Sequence, residues 1–134
     1  MTHASRSHWA ATYIGEPWVP HYHDCWGFFR RVQAERFGLD LPEIDVDACA
    51  PLTCRRAFAS HDERQRWLAV EVPAEGDAVL MGKNKRPAHV GVWIEADGGA
   101  VLHCIEGAGV VLQNRPALRL SGWQVLGFYR RGVA

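Results

Sequence analysis

The sequence has no surplus of charge: 15 lysines and arginines stand against 15 aspartates and glutamates, with seven histidines besides. A chain without a net field is not steered toward polyanions, so neither nucleic acid nor an anionic membrane surface is the expected partner. It also lacks any stretch of about 18 apolar residues, the length a bilayer-spanning helix needs, so membrane insertion is not expected. The first nine residues, Met-Thr-His-Ala-Ser-Arg-Ser-His-Trp, contain no apolar core of a secretory signal, and the expectation is cytoplasmic synthesis. Internal repeats, low-complexity tracts and a second linker are missing too. One domain over residues 1–134 is expected, with residues 1–12 at its periphery.

Cysteine is scarce, and Cys25, Cys49, Cys54 and Cys104 include no Cys-x-x-Cys pair. A chain of 134 residues buries about two thirds of the surface its unfolded form exposes. It therefore needs neither a disulfide framework nor a structural metal to fold. Two loose groupings hold ligating side chains: the alternating His21, His23 and Cys25, and the trio Cys49, Cys54 and His61. Neither has the paired spacing of a zinc site, and no metal or cofactor is expected.

What is present is organised as helices first and strands second, the α+β pattern. Residues 1–23 carry Gly15, Pro17, Pro20 and the aromatics Trp9, Tyr13, Trp18 and Tyr22, which reads as a short helix followed by irregular chain. From Asp24, a natural N-cap, the apolar residues Cys25, Phe28, Phe29 and Val32 recur at the spacing of one helical face, and Gly38 is the natural stop. Residues 39–59, with Pro42, Pro51 and the acidic Glu43, Asp45 and Asp47, read as mostly loop, and residues 60–69 as a second helix. After Pro73, β-branched segments separated by glycine and charged turns predict strands at 77–81, 90–95, 100–105, 110–114 and 125–130.

Two features carry chemistry. Cys25 would be the first residue of its helix, where unpaired amides and the helix dipole favour an anion, so its thiolate is expected to form more readily than that of an ordinary cysteine. His89 opens the segment His-Val-Gly-Val-Trp-Ile-Glu, whose alternation puts His89, Gly91 and Trp93 on one face and Val90, Val92 and Ile94 on the other. An odd-numbered loop through Asp97-Gly98-Gly99 would set Gly91 opposite His103, bringing the two histidines together as diagonal neighbours on one face, with Cys104 facing away. Taken singly, Cys25 is a small core residue, His89 a solvent-facing strand end and His103 a satisfied core histidine. Together they make a thiol, a base and a polar group to orient the base.

The ordered set Tyr13-Ile-Gly-Glu-Pro-Trp18, Asp24-Cys25-Trp26-Gly27-Phe28-Phe29, Glu75-Gly76-Asp77, His89-Val-Gly-Val-Trp93 and His103 resembles the NlpC/P60 cysteine peptidases over about Tyr13 to Tyr129. The resemblance implies a papain-like α+β fold, with N-terminal helices packed on a central antiparallel sheet of about five or six strands. It makes Cys25 the nucleophile, His89 the base and His103 the orienting residue, and peptidoglycan stem peptides the substrate, with cleavage between γ-D-glutamate and a diamino acid. The stretch from Asp24 to Pro42, with tryptophan after the cysteine, is most similar to members encoded in phage tail modules. That implies tail components as partners and delivery in a virion or tail-like particle. The family often carries a tyrosine in a Tyr-x-x-Gly-Gly stretch that shapes the oxyanion site, and here Trp18 takes its place. Trp18 has a single N–H to donate, which turns attention to Tyr22, His23, Asp24 and the Cys25 amide for the oxyanion and substrate. Two other readings keep the fold: a non-catalytic tail or scaffold protein, and an amidase or acyltransferase acting on another amide or ester.

Overall fold

Asp24 is extended, and its Oδ1 accepts the Gly27 N–H at 2.8 Å, so helix α1 (Cys25–Phe37) starts at the cap the sequence places there. Gly38 ends it in the left-handed region at φ 65°. The buried face is Cys25, Trp26, Phe28, Phe29, Val32 and Gln33. The computed structural model that shows this describes residues 8–20, 22–42, 66–83 and 86–132. Among them no helix is long and apolar enough to cross a membrane.

The strands are β1 (Trp67–Val70), β2 (Ala78–Lys83), β3 (Arg86–Ile94), β4 (Ala100–Ile105), β5 (Gly109–Gln113) and β6 (Gln124–Arg131). They form one antiparallel six-stranded sheet in the order β1-β6-β2-β3-β4-β5. Five of them coincide with the segments expected from β-branched runs, and the α+β papain-like architecture holds. The sixth corrects the second helix expected over 60–69. Residues 60–65 lie outside the described part, but Trp67–Val70 is a strand that pairs with β6 from Trp67↔Arg131 to Val70↔Phe128. Its backbone finds partners some 60 positions along the chain, which outweighs any local helical tendency. A short helix α2 (Arg115–Leu120), capped by Asn114 with Pro116 in its first turn, was not expected at all.

The sheet has two apolar layers. Val90, Val92, Ile94, Leu102, Cys104 and Val110 face α1 and pack with Cys25, Phe28, Phe29 and Val32. On the opposite face Val79, Met81, Trp93 and Val101 pack with Leu118 of α2 and with Trp123, Val125 and Phe128. The amino-terminal segment closes over the first layer. Its 3-10 helix, Trp9–Thr12, buries Ala10, and Glu75 holds His8 at 2.7 Å and the Trp9 indole at 3.2 Å. Gly15 N–H donates to the Val110 carbonyl and Val110 N–H to that of Glu16, at 3.0 and 2.9 Å. This strap lies so close to β5 that a Cβ on Gly109, whose φ is 77°, would sit 2.3 Å from the Glu16 oxygen.

Candidate active site

The β3–β4 hairpin pairs Val92 with Leu102, Trp93 with Val101 and Ile94 with Ala100, across the five-residue loop Glu95–Gly99. Continued by one pair, this register sets Gly91 opposite His103, as an odd loop requires. A Cβ on Gly91 would lie 3.0 Å from that of His103 and 2.4 Å from Val101 Cγ1. Only glycine leaves the two imidazoles room to meet across that position. They do meet: His89 Nε2 and His103 Nδ1 are 2.7 Å apart, with ring centroids at 4.9 Å.

The pair belongs to a longer chain. His103 Nε2 lies 2.8 Å from Gln113 Oε1, and Gln113 Nε2 donates to Ser121 Oγ at 2.9 Å. A carboxamide oxygen only accepts, so His103 Nε2 carries the proton and its Nδ1 is a bare acceptor. His89 Nε2–H must then donate to it, which leaves His89 Nδ1 with a lone pair. Among the described residues no buried side-chain nitrogen or oxygen lacks a partner. No hydrogen bond joins Nδ1 to another described side chain, so its lone pair is the one left over by the relay.

Trp123 covers this assembly, stacked on His89 at 4.5 Å and 18° and set edge-on to His103 at 6.3 Å. The Lys83 ammonium in turn lies 4.8 Å from the Trp123 ring centre. Burial pushes His89 well below the ordinary histidine value, and the neighbouring His103 and Lys83 push it further the same way. Burial brings His103 down to about 4, with the Gln113 hydrogen bond opposing. Both rings are neutral at pH 7, and a neutral His89 can accept a proton.

Cys25 sits at the first position of α1, 5 % exposed, in the layer between helix and sheet. The carboxyl half of α1 is fixed over the far end of β3, where Gln33 Nε2 donates to the Gly76 carbonyl at 2.9 Å and Gly76 N–H donates to that of Trp93. Its amino end lies over Cys104, whose thiol donates to the His23 carbonyl at 3.3 Å. Cys104 faces away from His103, as the alternation demands. Burial, helped by Asp24 and Glu16, pushes the Cys104 thiol up to about 12, which keeps it protonated at neutral pH. Thiol and imidazoles thus share one end of the sheet. Hydrogen bonding joins the two imidazoles to each other in the Trp123 layer, while the Cys25 side chain packs in the α1 layer.

The other sequence-derived candidates fall around the turn before Cys25. Asp24 is buried and serves as the helix cap. Tyr22 is 81 % exposed, and its carbonyl is so close to Gly27 that a Cβ there would sit 2.6 Å from it. Trp18 is partly buried against the α1 layer. The His23 ring is committed to the turn. Its Nδ1 is 2.7 Å from the Pro17 carbonyl, and its Nε2 is 3.3 Å from Arg31 and 3.4 Å from Glu16. Both ring nitrogens of His23 are thus engaged within the turn.

Residues 7–124 match the NlpC/P60 family. The chain belongs to the NlpC/P60 family. The fold agrees: a solved structure of the NlpC/p60 domain of the peptidoglycan hydrolase SagA superposes with a TM-score of 0.52 at 22 % identity, covering 90 % of each chain. No curated protein matches. Within this NlpC/P60 domain, sequence reasoning missed Gln113, Ser121 and Trp123. Gln113 carries a faint signal, since strand pairing puts Val101 opposite it and makes it a diagonal neighbour of His103 on the same face. Ser121 and Trp123 arrive from beyond α2 and have none. Among the described residues no group of three or more histidine, cysteine or acidic side chains could hold a metal ion. His21, Cys49, Cys54 and His61 lie outside those residues.

Proposed function

We propose that the protein is a cysteine hydrolase of cell-wall peptides, with Cys25 as nucleophile, His89 as base and His103 as the residue that orients it. The observation that carries this reading is the buried relay, which delivers a neutral His89 with its Nδ1 lone pair at the sheet end over which α1 begins. Nδ1 takes the Cys25 proton, and the sulfur attacks an amide carbonyl. Amides of the first turn of α1 hold the developing oxyanion, an interaction worth about 3–4 kcal/mol where a single donor has been removed from a hydrolase. The proton then goes from Nδ1 to the leaving amine, and water, deprotonated by the same nitrogen, releases the acyl group.

Family membership supports peptidoglycan stem peptides as substrate, and the SagA domain that shares the fold comes from a peptidoglycan hydrolase. Cleavage between γ-D-glutamate and a diamino acid and carriage in a phage tail or tail-like particle belong to the same proposal. Trp26, following the cysteine, supports the tail assignment, and mass spectrometry of purified particles tests it. The placement of Cys25 and the imidazoles in opposite layers favours a second reading, a domain that keeps the fold without turnover. Digestion of purified muropeptides followed by mass spectrometry decides between them and identifies the bond. The hydrolase reading expects products from the native protein and none from folded Cys25→Ala or His89→Ala. Equal product from a folded Cys25→Ala variant refutes it. A different amide or ester as substrate would appear as absent muropeptide cleavage with Cys25 still modified by iodoacetamide near neutral pH.

A further inference from the structure

We propose that the Gln113 carboxamide, anchored by Ser121, is a positioning residue that sets the tautomers of both histidines and so places the lone pair on His89 Nδ1. Two buried rings joined nitrogen to nitrogen can hold their protons in either of two consistent patterns. In one, both Nε2 atoms are protonated and His89 Nδ1 is bare. In the other, both Nδ1 atoms are protonated, His103 donates to His89, and His89 Nδ1 is an N–H with no lone pair to accept a proton. The 2.7 Å contact between the rings is equally compatible with both.

The choice is made at the far end of the chain. Gln113 presents Oε1 to His103 Nε2 at 2.8 Å, and its amide nitrogen donates to Ser121 Oγ at 2.9 Å, which holds the carboxamide in place. With the oxygen toward the ring, only the pattern with both Nε2 atoms protonated satisfies every contact. Turning the amide over would place an N–H donor against His103 Nε2 and drive both protons across, ring by ring. Gln113 ends β5, and Ser121 follows the last turn of α2. The segment Asn114–Leu120 therefore joins the two members of the anchor. Trp123, two residues further on, closes over the rings. A single short connection thus supplies the orienting amide, its anchor and the cover.

The catalytic consequence rests on His89 being the base, but the tautomers can be read without any turnover. Two-bond nitrogen–proton spectra of histidine-labelled protein at neutral pH are expected to show Nε2-protonated rings at both His89 and His103. Gln113→Glu offers only an acceptor and should keep that pattern. Gln113→Lys offers only donors and should invert it at both rings, with kcat/KM on muropeptides falling about 10²–10⁴-fold, the range for a misplaced or missing base. Ser121→Ala, which releases the amide at an exposed position, should give a mixture of tautomers and covers the case in which the lysine variant does not fold. Wild-type tautomers in both Gln113→Lys and Ser121→Ala would overturn the proposal. Inverted tautomers in a protein whose native form cleaves no muropeptide would uphold the relay and remove the hydrolase reading instead.

Discussion

Burial of His103 as a neutral ring makes the fold acid-sensitive in a window set by that residue. In the unfolded chain its imidazole takes a proton near the ordinary value of 6.5, whereas in the folded protein it does so only at about 4. Between these values the unfolded state holds more protons, so stability rises with pH. The contribution is complete above about pH 6.5 and is lost progressively as pH falls through 4. Integrated over that gap, it removes about 2 kcal/mol of stability at pH 5 and about 3 kcal/mol at pH 4, a large share of the total for a domain of this size. His89, shifted in the same direction, adds to the effect. The perturbation is His103→Gln, which keeps a polar side chain in the site and removes the titration. Urea unfolding of both proteins at pH 7 and pH 5, above the range where most carboxylates titrate, reads the loss of the His103 titration together with the smaller change in His89, which His103 helps to lower. The native protein should lose about 2 kcal/mol more than the variant on going from pH 7 to pH 5. Parallel losses in the two proteins would refute the idea that burial holds His103 neutral.

Three further outcomes follow from the same geometry. Gly91→Ala puts a methyl group 2.4 Å from Val101 Cγ1 and 3.0 Å from His103 Cβ; it should cost about 1–3 kcal/mol in chemical denaturation and disturb both imidazole resonances. Trp123→Ala removes the ring stacked on His89, so relief of desolvation should raise the His89 value toward that of an ordinary histidine in an NMR titration. Because the base must be neutral, the acid limb of any muropeptide-cleavage profile should move to higher pH with it. Asp24→Ala deletes the acceptor for the Gly27 amide and should lower stability by about 1 kcal/mol, measured by thermal or urea unfolding.

The sequence by itself determined those parts of the protein whose cause is local. Helix α1 could be read from cap to cap because Asp24 and Gly38 act on their own backbone, and because an apolar face with helical spacing must be buried. Five strands and the β3–β4 register could be read because side-chain alternation has a period of two, and because an odd loop between Ile94 and Ala100 permits one parity only. That parity put His89 and His103 on one face and Cys104 on the other. Tertiary structure alone decided what depends on segments meeting across the chain. Strand β1 exists because β6 offers it a ladder. Gln113, Ser121 and Trp123 converge on the histidines because α2 folds back over the second layer of the sheet. The same packing set Cys25 against α1's side of the sheet and the imidazoles against the other, a relation that no periodicity encodes, since it is fixed by which face of the finished sheet each element covers.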